Sequence, residues 1–219
     1  MEIEIKLNVR PTIEGGPVML FLKLSMIPEL AGRPLGEVIK AEIRDLYYDT
    51  EDGKLAAAGA GLRLRIVNGV PFVTLKLDKF QDGALVSREE FQEPVEQERL
   101  DWVLSHVRHL IGEGEVSAES FQSGKPVGPL VPVLEARTAR LVRVIGDHEA
   151  ELVMDMIEYP GYSINPYFDI EVESTSGEAG LTLLRAVETE LYRIAGGDLA
   201  PANLNKLERG LKLKAKAKG

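Results

Sequence analysis

The chain has 219 residues, 44% of them hydrophobic and 28% charged, with 35 acidic against 26 basic side chains and a formal net charge of -9. This composition fits a globular protein of one large or two small domains that buries roughly 70% of its unfolded surface, and it excludes extended disorder. The acidic balance argues against a nucleic-acid binder that works by phosphate neutralisation, and the absence of cysteine excludes disulfides, thiolate metal sites and thiol catalysis.

The first predicted element is a strand. In Glu2-Ile3-Glu4-Ile5-Lys6-Leu7 the charged and apolar residues alternate, so Glu2, Glu4 and Lys6 share one face and Ile3, Ile5 and Leu7 the other. The acidic N-terminus is unlike a signal peptide. Breakers from Pro11 to Gly16 precede a helix-like run from Val18 toward Leu30, whose apolar stretch is ended by Lys23 and Pro28 and is too short to span a bilayer. The expected location is therefore the cytoplasm, with no membrane contact. A strand is predicted over Ala41 to Thr50, and another over Leu62 to Val67. Asn68-Gly69 then supplies a two-residue hairpin turn into Pro71 to Leu77, and Asp82-Gly83 turns into a strand over Ala84 to Phe91.

Between Arg99 and Ile111 the apolar residues recur at helical spacing. Strands over Val131 to Val144 and Glu151 to Ile157 flank the Gly146-Asp147 turn, and Tyr167 to Glu173 alternates without error. Helical spacing returns from Glu178 to Ile194, and Leu204 to Leu211 reads as a short last helix. About eight strands, mostly antiparallel, with helices between them and at the C-terminus, predict an α+β fold built on a large sheet or barrel.

Glu2, Glu4, Lys6, Arg63, Arg65, Lys76, Arg88, Glu90, Asp155, Asp169, Glu171 and Glu173 all lie on the polar faces of their strands. A solvated surface would explain any single strand. For the set, the opposite faces are aliphatic and flanked by helices that need a place to pack. Arg63 and Arg65 also face the same way as Lys76 across a tight hairpin, where like charges repel unless an anion lies between them. A concave, charged interior supplies that place. Glu89 falls on the face opposite Glu90.

The sequence resembles the CYTH superfamily of triphosphate tunnel metalloenzymes. Glu2-Ile3-Glu4-Ile5-Lys6 matches its ExExK signature, and Tyr47 to Thr50, Leu62 to Arg65, Thr74 to Lys76, Arg88 to Glu90, Arg137 to Arg140, Asp155, Glu171 to Glu173 and Lys206 to Gly210 follow in the family's order. The resemblance implies an eight-stranded antiparallel β-barrel forming a tunnel, as one domain over residues 1–212 with a basic tail at 213–219. It implies substrate binding by Lys6, Arg63, Arg65, Lys76, Arg88, Arg140 and Lys206. It implies metal binding by Glu2, Glu4, Glu90, Asp155, Glu171 and Glu173, with Glu4, Lys6, Asp155 and Glu171 as the catalytic group.

The chemistry of these residue types agrees. Arg and Lys are the usual partners of phosphate oxygens, and carboxylates suit Mg²⁺ or Mn²⁺. Glu2 and Glu4 stand roughly 7 Å apart along a strand, close enough to share one ion or its waters. The expected reaction is metal-dependent hydrolysis of the terminal phosphate of a small-molecule triphosphate, most simply inorganic tripolyphosphate. Class IV adenylyl cyclase is an alternative, although its His-Phe-x-x-Pro segment is not found here. Thiamine triphosphatase is another, with Trp102 as a candidate pocket wall. A polyphosphate- or nucleotide-binding module without catalysis is the third. The resemblance is compatible with a homodimer. No Walker-type phosphate loop occurs, and His106, His109 and His148 read as surface or packing residues. The lysines from Lys212 to Lys218 read as a solvated, frayed end. The long segment from Pro11 to Gly36 is expected to reshape one tunnel entrance.

Overall fold

The computed structural model describes residues 2–12, 16–94, 97–112, 129–196 and 198–218. Its strands are β1 (Glu2–Val9), β2 (Glu29–Leu30), β3 (Arg33–Pro34), β4 (Ile39–Thr50), β5 (Gly61–Val67), β6 (Val70–Asp82), β7 (Leu85–Pro94), β8 (Leu130–Ile145), β9 (Ala150–Glu158), β10 (Tyr167–Ser174) and β11 (Leu199–Pro201). The helices are α1 (Pro17–Met26), α2 (Lys54–Ala57), α3 (Gln97–Ile111), α4 (Leu181–Ala195) and α5 (Lys206–Lys218). Eight strands run in the order β10-β9-β8-β4-β5-β6-β7-β1, and β1 pairs back onto β10, so the antiparallel sheet closes into a barrel. The short β11 adds to β1 outside the closed set, and β2 and β3 form a separate two-stranded ribbon.

The barrel is turned inside out with respect to charge. Ile3, Ile5 and Leu7 are at most 3% exposed, yet they point away from the barrel axis into an apolar layer shared with α1 and α4. A second layer lies between the outer faces of β4, β5 and β6 and helices α2 and α3. A third cluster lies on the inner face, where Leu134 and Ala136, paired with Tyr47 and Asp45, and Ile157 meet Leu207, Leu211 and Leu213 of α5. Helices α1 to α4 therefore bury the outer aliphatic faces, α5 packs at the inner face, and the charged side chains line the interior because strand alternation puts them there.

Several element ends differ from the sequence expectation for local reasons. The helix begun at Pro17 stops at Met26 because Pro28 favours an extended Ile27, which has φ -68° and ψ 140°. The chain then forms the β2–β3 ribbon. Asn68 and Gly69 both take positive φ, 48° and 88°, as a tight hairpin turn of matching twist requires. Strand β6 continues past Leu77 to the Asp82-Gly83 turn, with a register shift between Lys76 and Lys79. Helix α5 runs on to Lys218, and Lys214 donates to the Val133 carbonyl at 2.6 Å, so the basic end is helical, while Lys212 and Lys216 are exposed as expected.

The segment after β1 is clamped to the outer wall by Arg143. Its buried guanidinium donates to the carbonyl oxygens of Gly36, Leu24, Ile27 and Leu35 at 2.7 to 3.2 Å. Breakers between Pro11 and Gly16 lie partly outside the described residues, and the side chain of Trp102 lies outside them.

Candidate active site

The barrel encloses a cavity of about 780 Å³. Its wall includes Glu2, Lys6, Arg63, Arg65, Lys76, Arg88, Glu90, Arg140, Glu171, Glu173 and Lys206. Alternation along each strand puts them there, and register brings them level: Glu4 is paired with Glu173, Lys6 with Glu171, Glu2 with Arg88, Lys76 with Glu90 and Arg140 with Asp155. None of residues 16–36 lines the cavity, so the long segment after β1 packs on the barrel wall instead of shaping an entrance.

Around the wall, cations and carboxylates alternate without a break. The order is Arg65, Asp45, Arg63, Glu90, Lys76, Glu2, Arg88, Glu4, Lys6, Glu171, Arg140, Asp155 and Lys206. The N to O separations run from 2.6 Å for Lys76–Glu90 to 3.8 Å for Arg88–Glu2. Every basic residue assigned from the sequence is in this belt. Such a belt stores binding capacity: a polyanion that enters can take over the cations from the carboxylates, so no buried cation is left without a partner.

The six acids assigned from the sequence divide into two kinds. Glu90, Asp155 and Glu171 are counter-ions. Asp155 is fully buried, takes a fork from Arg140 at 2.8 and 2.7 Å and holds Lys206 Nζ at 2.7 Å. Burial alone would raise these three carboxyls, but the neighbouring cations win. Lys76 and Arg63 bring Glu90 down to about 2, Lys206 and Arg140 hold Asp155 below its usual range, and Lys6, Lys206 and Arg140 hold Glu171 well below it.

Glu2, Glu4 and Glu173 are the second kind. One oxygen of each lies within 4.8 Å of the others, and the second oxygen of Glu4 is buried without a hydrogen-bond partner. Burial, reinforced by Glu4 and Glu90, pushes Glu2 up to about 8, and burial with Glu171 and Glu4 pushes Glu173 up to about 7. An orphaned oxygen in a converging set of oxygen donors fits a hard divalent cation.

On the cationic side, burial lowers Lys6 and Lys206. Glu171 and Glu4 more than restore Lys6 to above its ordinary range, whereas Lys206 stays lowered.

Sequence reasoning missed Asp45. It is fully buried and receives a fork from Arg65 at 2.8 and 2.9 Å, and its carboxyl is held far below the usual range despite burial by Arg63 and Arg65. The available signal was strand alternation, since Asp45 faces inward with Tyr47. Tyr47 lines the cavity, whereas Tyr48 packs into the outer layer, which separates two residues the sequence left together. Asp49 accepts hydrogen bonds from the backbone N–H of Thr50, Leu55 and Ala56 at 2.7 to 3.1 Å, so it fixes the α2 turn. Glu89 is exposed, and neither it nor any of the three histidines lines the cavity. Asp169 shares the inward face of Glu171 and Glu173 but pairs with Arg209 and does not line the cavity.

The CYTH domain family profile matches residues 1–200. No curated protein matches the sequence. Among solved structures, HpAC1 from Hippeastrum, a candidate adenylyl cyclase described as showing a dominant triphosphatase activity, is 21% identical, with 97% of this chain and 96% of that one covered and a TM-score of 0.64. A candidate adenylate cyclase from Bacillus halodurans is 21% identical over 95% of this chain and 97% of its own, with a TM-score of 0.58. The PH1819 protein of Pyrococcus horikoshii OT3 is 18% identical over 95% and 98%, with a TM-score of 0.57. These likenesses share the barrel fold. Among the described residues no helix is long and apolar enough to cross a membrane.

Proposed function

The chain belongs to the CYTH domain family, and from that premise we propose that it is a divalent-metal-dependent triphosphatase acting on inorganic tripolyphosphate in the cytoplasm, within a tunnel domain over residues 1–212. The observation that carries this reading is the belt of cations facing the barrel cavity beside the converging carboxyl groups of Glu2, Glu4 and Glu173. Lys6, Arg63, Arg65, Lys76, Arg88, Arg140 and Lys206 bind and align the phosphate chain. The rigid strand positions of the first six hold it in one orientation, which lowers the entropic part of the barrier. Glu2, Glu4 and Glu173 hold Mg²⁺ or Mn²⁺, and Glu90, Asp155 and Glu171 keep the cations in place. When bound, a divalent cation supplies charge neutralisation and Lewis acidity at the phosphate chain. Overall, water and tripolyphosphate give pyrophosphate and orthophosphate.

The test is incubation with tripolyphosphate, ATP or thiamine triphosphate and Mg²⁺ or Mn²⁺, with product identification. Orthophosphate and pyrophosphate from tripolyphosphate are expected. Cyclic AMP from ATP would assign a cyclase instead, preferential cleavage of thiamine triphosphate would change the substrate, and binding without turnover would leave a binding module.

Metal binding itself should depend on pH. Glu2 and Glu173 retain protons near neutrality because their carboxyls are pushed up to about 8 and about 7, and a cation must displace those protons. Affinity for Mn²⁺ therefore rises with pH across that window. Calorimetry at pH 7 in buffers of different ionisation enthalpy should show proton release on binding. A buffer-independent heat would contradict the assignment.

A further inference from the structure

Lys206 differs from the other basic residues of the belt because a helix carries it, whereas Lys6, Arg63, Arg65, Lys76, Arg88 and Arg140 stand on barrel strands. A strand is fixed on both sides by its hydrogen-bonded neighbours. A helix docked on a barrel is free to tilt unless side chains hold it, and a tilt at its first turn moves the Lys206 ammonium directly. The first turn of α5 is held with unusual density. Asn205 and Glu208 form a reciprocal capping box, the Asn205 side chain accepting from the Glu208 N–H at 2.9 Å and the Glu208 carboxylate from the Asn205 N–H at 2.8 Å. The Tyr159 hydroxyl donates to the Lys206 carbonyl at 2.8 Å. A Cβ at Gly210 would collide with Leu134 and Tyr159, so the helix lies against the wall there.

Arg209, three residues after Lys206, adds a buried ionic anchor to this turn. Its guanidinium forks onto Asp169 at 2.9 and 3.1 Å, donates to the Asn8 side chain at 2.6 Å and lies 5.1 Å from the centre of the Tyr167 ring. Asn8 and Asp169 are cross-strand partners, each two residues from Lys6 and Glu171, which are partners in turn. By strand periodicity they form the next rung of the barrel interior. Arg209 thus reaches into the rung beside the ion belt, and neither it nor Asp169 nor Asn8 lines the cavity.

We infer that Arg209 is a positioning residue: its fork onto Asp169 fixes the first turn of α5 so that the Lys206 ammonium stands at the cavity wall, where it meets the phosphate chain. The inference rests on the reading of Lys206 as a phosphate-binding residue. An anchor that only stabilised the fold would act on melting and leave the contribution of Lys206 alone, whereas a positioning residue acts through Lys206.

A double-mutant cycle separates the two. Wild type, Arg209→Met, Lys206→Met and the double variant are compared for kcat/KM on tripolyphosphate with Mg²⁺ or Mn²⁺, and for tripolyphosphate affinity by calorimetry. Arg209→Met is expected to lower kcat/KM by about tenfold or more when Lys206 is present, and by less than about twofold when Lys206 is already Met. Arg209→Lys keeps the charge without the fork, so it should restore the melting temperature more fully than kcat/KM. If Arg209→Met does not fold, Arg209→Met with Asp169→Leu takes its place, since removing both charges together leaves no uncompensated ion. Equal fold-losses in the two Lys206 backgrounds would overturn the inference. A wild-type protein that binds tripolyphosphate without hydrolysing it overturns the triphosphatase reading alone, and the affinity cycle still decides the role of Arg209. Failure to bind at all overturns both.

Discussion

Replacement of Glu4 by Gln is expected to lower metal-dependent triphosphate hydrolysis by more than about 100-fold, beyond the 10- to 100-fold typical of groups that merely orient a metal ligand. Glu4 is 1% exposed and has one oxygen with no hydrogen-bond partner, beside Glu2 and Glu173. An amide at this position keeps the volume but presents only one acceptor and no charge, so the oxygen set loses its central anionic donor. The fold should survive. Lys6 keeps Glu171 at 3.0 Å, and Arg88 keeps Glu2 at 3.8 Å, so neither cation is stranded. The variant should therefore melt cooperatively near the wild-type temperature while Mn²⁺ binding and its proton release are lost. Retention of most of the activity by a folded Glu4→Gln protein would remove Glu4 from the metal set.

The opposite pattern is expected at Asp155. Asp155→Asn should cost about 3–5 kcal/mol of stability, because removing one partner of a buried ionic cluster leaves uncompensated charge. Both Arg140 and Lys206 depend on this carboxylate, with donor distances of 2.7 to 2.8 Å, and the Asn amide would turn an N–H₂ toward at least one of them. Against typical domain stabilities of about 5–15 kcal/mol, the loss is visible in any denaturant titration. Its pH dependence has a defined sign. The folded Asp155 carboxyl is held below the ordinary value despite burial, because of Lys206 and Arg140. Its contribution is thus complete above the unfolded pKa of about 3.9 and is lost as pH falls through the folded value. Stability of wild type and variant should accordingly converge on acidification below about pH 4. A gap that stays constant between pH 7 and pH 3, or a loss under about 1 kcal/mol, would mean that Asp155 is not the counter-ion of this pair.

Together the two substitutions divide the acids by function. Chemistry without stability is expected at Glu4, and stability carried into chemistry at Asp155. The sequence offered no means of making that division, since Glu4, Glu90, Asp155, Glu171 and Glu173 look alike as inward-facing carboxylates on alternating strands.

Alternation at a spacing of two determined much of this protein from sequence alone. It placed Glu2, Glu4 and Lys6 on one face and Ile3, Ile5 and Leu7 on the other, and it did so again wherever a strand carried Arg63, Arg65, Lys76, Arg88 or Glu171. That periodicity is a local property of the backbone, so no partner is needed to read it. The Asn68-Gly69 turn was legible for the same reason, since positive φ at both positions is a local demand. Pairing across the barrel is non-local. Whether Asp155 meets Arg140 and Lys206 or joins Glu2, Glu4 and Glu173 depends on strand order, register and the seat of α5, which involve residues up to about the full chain length apart. Alternation could place Asp45 inward, but its partner was decided only when β4 lay beside β5 and brought it opposite Arg65. Chain closure between β1 and β10 converts faces that could each have met water into one enclosed, charge-lined cavity, because only a closed sheet gives its inner face no route to bulk solvent except through the ends.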